Sequence, residues 1–282
     1  MYHRSQSRAG VTLTEVLVAI FVCGLGLMAL MTLFPLGAMN MAQAIKDDRC
    51  GHAAANATAV LRSVWRVSLE SGQMDQGLEQ QLAQGPVFID PLGVVMFGQG
   101  NIQGSSIKRM SFPGGMGFQQ AVRWCSLLDD LDFNPNATPV MAGAEVQRQG
   151  RFSWAWMVRW LRGADKRARA LEFQVVVYHN RPMTQSAGLV PVGESSFAAT
   201  YQGSDPSKPD TAVVAGKPAV KKGGWVLDGQ QGYFYRVTGV QDMGGSVILT
   251  VQTPFRGQTA GGGGNLVFMD NVAEVFERST LE

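Results

Sequence analysis

From Val11 to Phe34 the chain runs 24 residues with Glu15 and the thiol of Cys23 as its only ionisable side chains. A helix rising ~1.5 Å per residue carries such a run across ~36 Å, enough to cross a hydrocarbon core of ~30 Å with some tilt. Gly24 and Gly26 weaken the helix and Pro35 removes a backbone donor, which predicts a bend or local melting over 24–35. From about Ala42 to Glu70 the pattern changes. Ala53, Ala57, Val60, Leu61 and Val64 recur at helical spacing and form one apolar stripe. Gly72 ends this amphipathic half, and its stripe requires a sheet to cover it.

The rest of the chain alternates in the manner of strands. Pro86 to Phe97 reads as a short hairpin turning at Asp90-Pro91-Leu92-Gly93, followed by a Gly-rich polar loop over 98–118. Gln119 to Leu131 reads as a short helix ended by Asn134-Pro135. In the clearest strand Phe152, Trp154, Trp156, Val158 and Trp160 alternate with Ser153, Ala155, Met157 and Arg159. Ala170 to Asn180 is a second strand, with Leu171, Phe173, Val175 and Val177 on one face. Residues 184–223, rich in Gly, Pro, Ser, Lys and Asp, read as a long mobile excursion. Strands follow at 224–228, 232–240, 246–253, 265–269 and 271–277. Sequential strands joined by short turns imply antiparallel pairing. The expectation is an α+β fold: a long N-terminal helix packed on an antiparallel β-meander, with 11–35, 36–72 and 73–282 as its membrane helix, amphipathic helix and β-rich domain.

Composition narrows the chemistry. The net charge is +2 over 282 residues, and no basic run exceeds Lys221-Lys222, so nothing points to nucleic acid. Histidine is limited to His3, His52 and His179, which leaves zinc sites and Ser-His-Asp triads without parts; we expect no catalytic residue, no cofactor and no metal. Gly261 to Gly264 lack a following Lys-Ser/Thr and read as a hairpin connection. Asp130, Asp132, Asn134 and Asn136 alternate as in a calcium loop, but Pro135 and Met141 occupy the positions of the turn glycine and bidentate glutamate. A solvated acidic turn is the better reading. The aromatic stripe Phe152, Trp154, Trp156, Trp160 is read as core facing helix 42–70. Cys50 and Cys125 either pair or remain as two buried thiols.

An anchor needs no carboxylate within its apolar run, where one costs up to roughly 2.5–3.5 kcal/mol at the bilayer centre. Glu15 therefore needs an explanation. The stretch Gly10-Val11-Thr12-Leu13-Thr14-Glu15-Val16-Leu17, behind a short leader carrying Arg4 and Arg8, resembles the processing motif of type IV prepilins and type II secretion pseudopilins. Val11 stands where that family has Phe, and Thr14 where it has an aliphatic residue. The continuation from Gly24 to Gly37 looks most like minor pilins and minor pseudopilins.

The resemblance implies a pilin-like fold and a leader, residues 1–10, removed by a prepilin peptidase that cuts between Gly10 and Val11 and N-methylates the new terminus. It implies that Glu15 and Pro35 serve assembly, and that the partners are other pilin or pseudopilin subunits and an inner-membrane assembly platform. The implied topology is single-pass in the inner membrane, N-terminus cytoplasmic in keeping with Arg4 and Arg8, with the β-rich domain extracytoplasmic. Cleavage would place a cationic amine on Val11, and Glu15 of a neighbour is its natural counter-charge. Unit charges ~4 Å apart at an effective dielectric of 20 attract by ~4 kcal/mol. A signal-anchored binding domain that never polymerises is the alternative.

Overall fold

The computed structural model describes residues 12–70, 76–112, 115–160, 170–183 and 193–281. The chain divides into two compact units, Met1–Arg49 and Cys50–Glu282. Helix α1, Leu13–Glu70, contributes to both. In the first unit every residue from Thr12 to Ile45 is exposed. The helix is unbroken through Gly24, Gly26 and Pro35, so the local melting expected there does not occur. A single missing donor in a 58-residue helix leaves the flanking hydrogen bonds in place.

In the second unit Cys50, Ala53, Ala54, Ala57, Leu61 and Trp65 of α1 are buried, a spacing that puts them on one face of the helix. Ala53, Ala57 and Leu61 of the expected stripe lie on this face, and Val60 and Val64 pack partly buried beside it. The short elements α2 (Gln76–Gln84), β1 (Val87–Ile89), α3 (Pro91–Phe97), β2 (Gly100–Asn101), β3 (Lys108–Met110) and α4 (Phe118–Trp124) follow. A hairpin β4 (Met141–Ala142) and β5 (Glu145–Val146) leads into the long strands β6 (Phe152–Trp160) and β7 (Leu171–His179). Then come β8 (Glu194–Gln202), β9 (Thr211–Ala215), β10 (Trp225–Asp228), β11 (Phe234–Asp242), β12 (Ser246–Val251), β13 (Gly263–Met269) and β14 (Val272–Leu281).

Two sheets result. One is six-stranded in the order β14-β7-β6-β1-β3-β2, and the other is a closed barrel, β10-β11-β12-β9-β8-β13. Pairing is antiparallel except between β1 and β3, which run parallel. The open sheet is covered on both faces. Trp154, Trp156, Val158, Phe173, Val175 and Val177 pack with the buried face of α1. Ala155, Met157, Val176 and Tyr178 point the other way and pack with Leu227, Phe234, Val267 and Met269 of the barrel. The barrel interior is filled by Tyr201, Tyr235 and Phe255, with Phe255 4.8 and 4.7 Å from the two tyrosine rings. The helix-on-sheet arrangement and antiparallel α+β class thus match the reading of the sequence.

Several local expectations are corrected. Residues 86–97 are not a hairpin: Asp90 accepts a hydrogen bond from Gly93 N at 2.9 Å and caps α3, with Pro91 at its first position. The 98–118 loop contains β2 and β3. The helix expected over 119–131 is confined to α4 and a 3-10 turn at Leu128–Asp130. Within the supposed excursion, 184–192 lie outside the described residues, but β8 and β9 are barrel strands with Ala199, Tyr201, Ala212 and Val214 turned inward. Gly261 and Gly262 form a turn, while Gly263 and Gly264 already pair with Thr200 and Ala199 in β8. A side chain at Gly264 would meet the Tyr201 hydroxyl at 2.6 Å, which accounts for glycine there.

Candidate functional site

Gly10 and Val11 lie outside the described residues; Glu15 lies in the first turn of α1. Thr12 N–H donates to Glu15 Oε2 at 2.9 Å and the Thr12 hydroxyl donates to the same oxygen at 3.1 Å. In return Glu15 N–H donates to Thr12 Oγ1 at 3.4 Å. This is a reciprocal capping box, with Thr12 preceding the helix and Glu15 three residues later. It satisfies exposed backbone donors at the head of an apolar helix from within one chain. The Thr-x-x-Glu spacing is visible in the sequence, but its capping role was not among the sequence-derived expectations. Pro35 is exposed within α1, and α1 is long and apolar enough to cross a membrane.

The β-rich unit holds a buried charge network. Asp90 is fully buried and accepts from Arg181 Nη1 at 2.9 Å and Nη2 at 2.6 Å. Arg109 Nε lies 3.2 Å from the same carboxylate, and Arg109 also pairs with Glu194 at the start of β8. Arg181 stacks over the Tyr178 ring at 4.5 Å. Burial alone would push the Asp90 carboxyl up. The Arg181 and Arg109 guanidiniums and Gly93 N–H outweigh burial and hold it below the usual carboxylate range. A carboxylate held ionised in this way is not poised to exchange protons near neutral pH. It joins the cap of α3, β3, the segment after β7, and β8, so it fastens the sheet to the barrel.

A second junction has the same character. Arg159 donates to Glu172 at 3.1 and 2.9 Å and to the Gly232 carbonyl at 2.8 Å. The Tyr233 ring lies 3.4 Å from the Arg159 guanidinium and 4.9 Å from that of Arg256. The residues weighed for chemistry in the sequence do not converge. His179 is exposed at the end of β7, 4.9 Å from the Phe152 ring. Asp130 is buried and accepts from Phe152 N at 3.3 Å, while Asn134 and Asn136 face solvent, so the alternating set does not line one loop. Among the described residues no group of His, Cys, Asp and Glu gathers that could hold a metal ion. Cys50 and Cys125 are buried thiols, neither of them in a disulfide, and Cys23 is exposed. Phe152, Trp154 and Trp156 are core residues, with Trp160 packed at the margin.

Comparison with protein-family models, with curated proteins and with solved structures finds no match to this chain.

Proposed function

We propose that this chain is a minor pilin or pseudopilin: a subunit held in the inner membrane, processed after Gly10, and built into a type II secretion pseudopilus or a type IV pilus. The observation that carries the reading is Glu15 at the head of a helix exposed from Thr12 to Ile45, behind the Gly10-Val11 junction. An apolar helix surface of that length requires a non-aqueous surround, and lipid and the helices of neighbouring subunits both supply one. A carboxylate retained at its head supplies the counter-charge for a cationic terminus. On this reading the β-rich unit is extracytoplasmic. The partners are other pilin or pseudopilin subunits, the prepilin peptidase/N-methyltransferase and the inner-membrane assembly platform, and the work is assembly without turnover.

The Thr12–Glu15 box favours a second reading, a signal-anchored extracytoplasmic binding domain, because it gives the carboxylate a use that needs no neighbour. N-terminal mass spectrometry of membrane-extracted protein separates the two. A mature chain beginning at a methylated Val11 supports the subunit; a chain retaining Arg4 and Arg8 removes that reading and leaves the anchor.

A further inference from the structure

A polar cleft of about 380 Å³ opens between the end of α2, the β2–β3 hairpin and the turn joining β10 to β11. Its polar lining includes Gln81, Gln84, Asn101, Lys108, Gln230 and Gln231. Gln230 is engaged by Gln258 at 3.5 Å. The side chains of the other five make no hydrogen bond or ion pair among the described residues. Asn101 pairs in register with Lys108 across β2 and β3, and Lys108 with Val87 across β3 and β1, so these positions share one face of the sheet. Among the described residues β2 is the last strand of its sheet and pairs with β3 alone, which leaves its outer edge open to them.

We infer that this cleft binds an extended, acidic peptide segment of a partner protein. A carboxamide presents a donor beside an acceptor, the same pair that a peptide group offers, and four uncommitted amides match a run of main-chain groups. An open strand edge adds the main-chain hydrogen bonds of strand addition. Among the described residues Lys108 is the only charged one lining the cleft, so a carboxylate on the segment meets a cation and none of the described acids. Among the described residues no aromatic side chain lines it, so a sugar ring finds no stacking surface there. The volume lies within the range of ordinary ligand clefts.

The test uses the full chain in detergent and two labelled octapeptides, (Ser-Glu)4 and (Ser-Lys)4, read by fluorescence anisotropy. (Ser-Glu)4 is expected to bind, with (Ser-Lys)4 at least ~10-fold weaker. One surface charge pair is worth about 1 kcal/mol in water, so Lys108→Gln should weaken (Ser-Glu)4 by about fivefold. Lys108→Glu should weaken it further, and Asn101→Ala and Gln231→Ala by several-fold each. Unchanged melting temperatures show that the variants fold, with Lys108→Gln as the gentler replacement should Lys108→Glu not. Equal binding of the two peptides, absence of (Ser-Glu)4 binding at millimolar concentration, or indifference to both Lys108 variants overturns the proposal. So does a uronic-acid oligosaccharide that binds more tightly than the peptide, which would assign the cleft to a glycan.

Discussion

The indole N–H of Trp156 donates to the main-chain carbonyl of Ala57 at 3.0 Å, joining the middle of β6 to the buried face of α1. Both residues are fully buried, and the Phe112 ring lies 5.1 Å from the Trp156 ring. The contact explains why small residues stand at Ala53, Ala54 and Ala57: only a helix without bulk on this face comes close enough for its backbone to meet an indole.

Trp156→Ala is therefore expected to lower stability by ~3–5 kcal/mol, the usual cost of emptying a large aromatic site. Trp156→Phe keeps most of the packing and removes the hydrogen bond, with a smaller loss of about 1 kcal/mol. Denaturant unfolding of the two variants separates packing from the bond. An unchanged midpoint for Trp156→Ala would remove the core assignment.

The Asp90 network predicts an acid limb. A carboxyl whose folded pKa lies below its ordinary value of 3.8 contributes stability that is present above that value. The contribution is lost as pH falls through the lower folded value. Glu172, held low by its hydrogen bond from Arg159, adds to the same limb. Unfolding midpoints should hold steady from neutral pH down to about 4 and then fall. Asp90→Asn leaves the Arg181 guanidinium without its carboxylate, while Arg109 keeps Glu194, and should cost ~3–5 kcal/mol at neutral pH while flattening the acid limb. A variant with the wild-type pH profile would show that the network does not set it.

Cys50 and Cys125 predict a thiol count. Both are buried and neither is in a disulfide; burial, with the nearby Asp90 carboxylate, pushes the Cys125 thiol far above its ordinary range, so little thiolate forms. With Ellman's reagent, neither should react in the native protein, and unfolding without reductant should release both alongside Cys23. Release of Cys23 alone would reveal a disulfide.

The legible parts of this fold are those in which one face carries most of the apolar volume. The alternation through Phe152, Trp154 and Trp156 and the stripe through Ala53, Ala57 and Leu61 define two surfaces that need each other, and they meet. The second face of β6 was hidden because Ala155 and Met157 sit beside Ser153 and Arg159, and only the barrel makes that face a core. The barrel itself was obscured by small inward residues such as Ala199 and Ala212 in a stretch dominated by turn formers. Asp90-Pro91 was misread because the same pair opens a turn or caps a helix, and tertiary contacts with Arg181 and Arg109 accompany the second outcome. At the candidate site, the unusual carboxylate was legible but its local partner Thr12 was not, since attention to its charge passes over its reach as an acceptor.

Glu15 decides between a filament subunit and an anchor, and the capping box sharpens the choice of variants. Glutamine at this position still accepts from Thr12, so Glu15→Gln preserves the cap and removes only the charge. If the carboxylate serves the cap alone, Glu15→Gln is silent and Glu15→Leu costs no more than a lost cap, offset by removing a charge from lipid. If it passes from Thr12 to the Val11 amine of a neighbour during assembly, both variants strand that cation in an apolar surround. Breaking one side of such a pair costs ~3–5 kcal/mol, more than a hundredfold in association. Both variants should then insert and be cleaved normally yet fail to crosslink to partner subunits. Glu15→Asp, charged but shorter, should be intermediate. Wild-type crosslinking by Glu15→Leu, with cleavage confirmed by mass, would eliminate the pairing and leave Thr12 as the only partner this carboxylate needs.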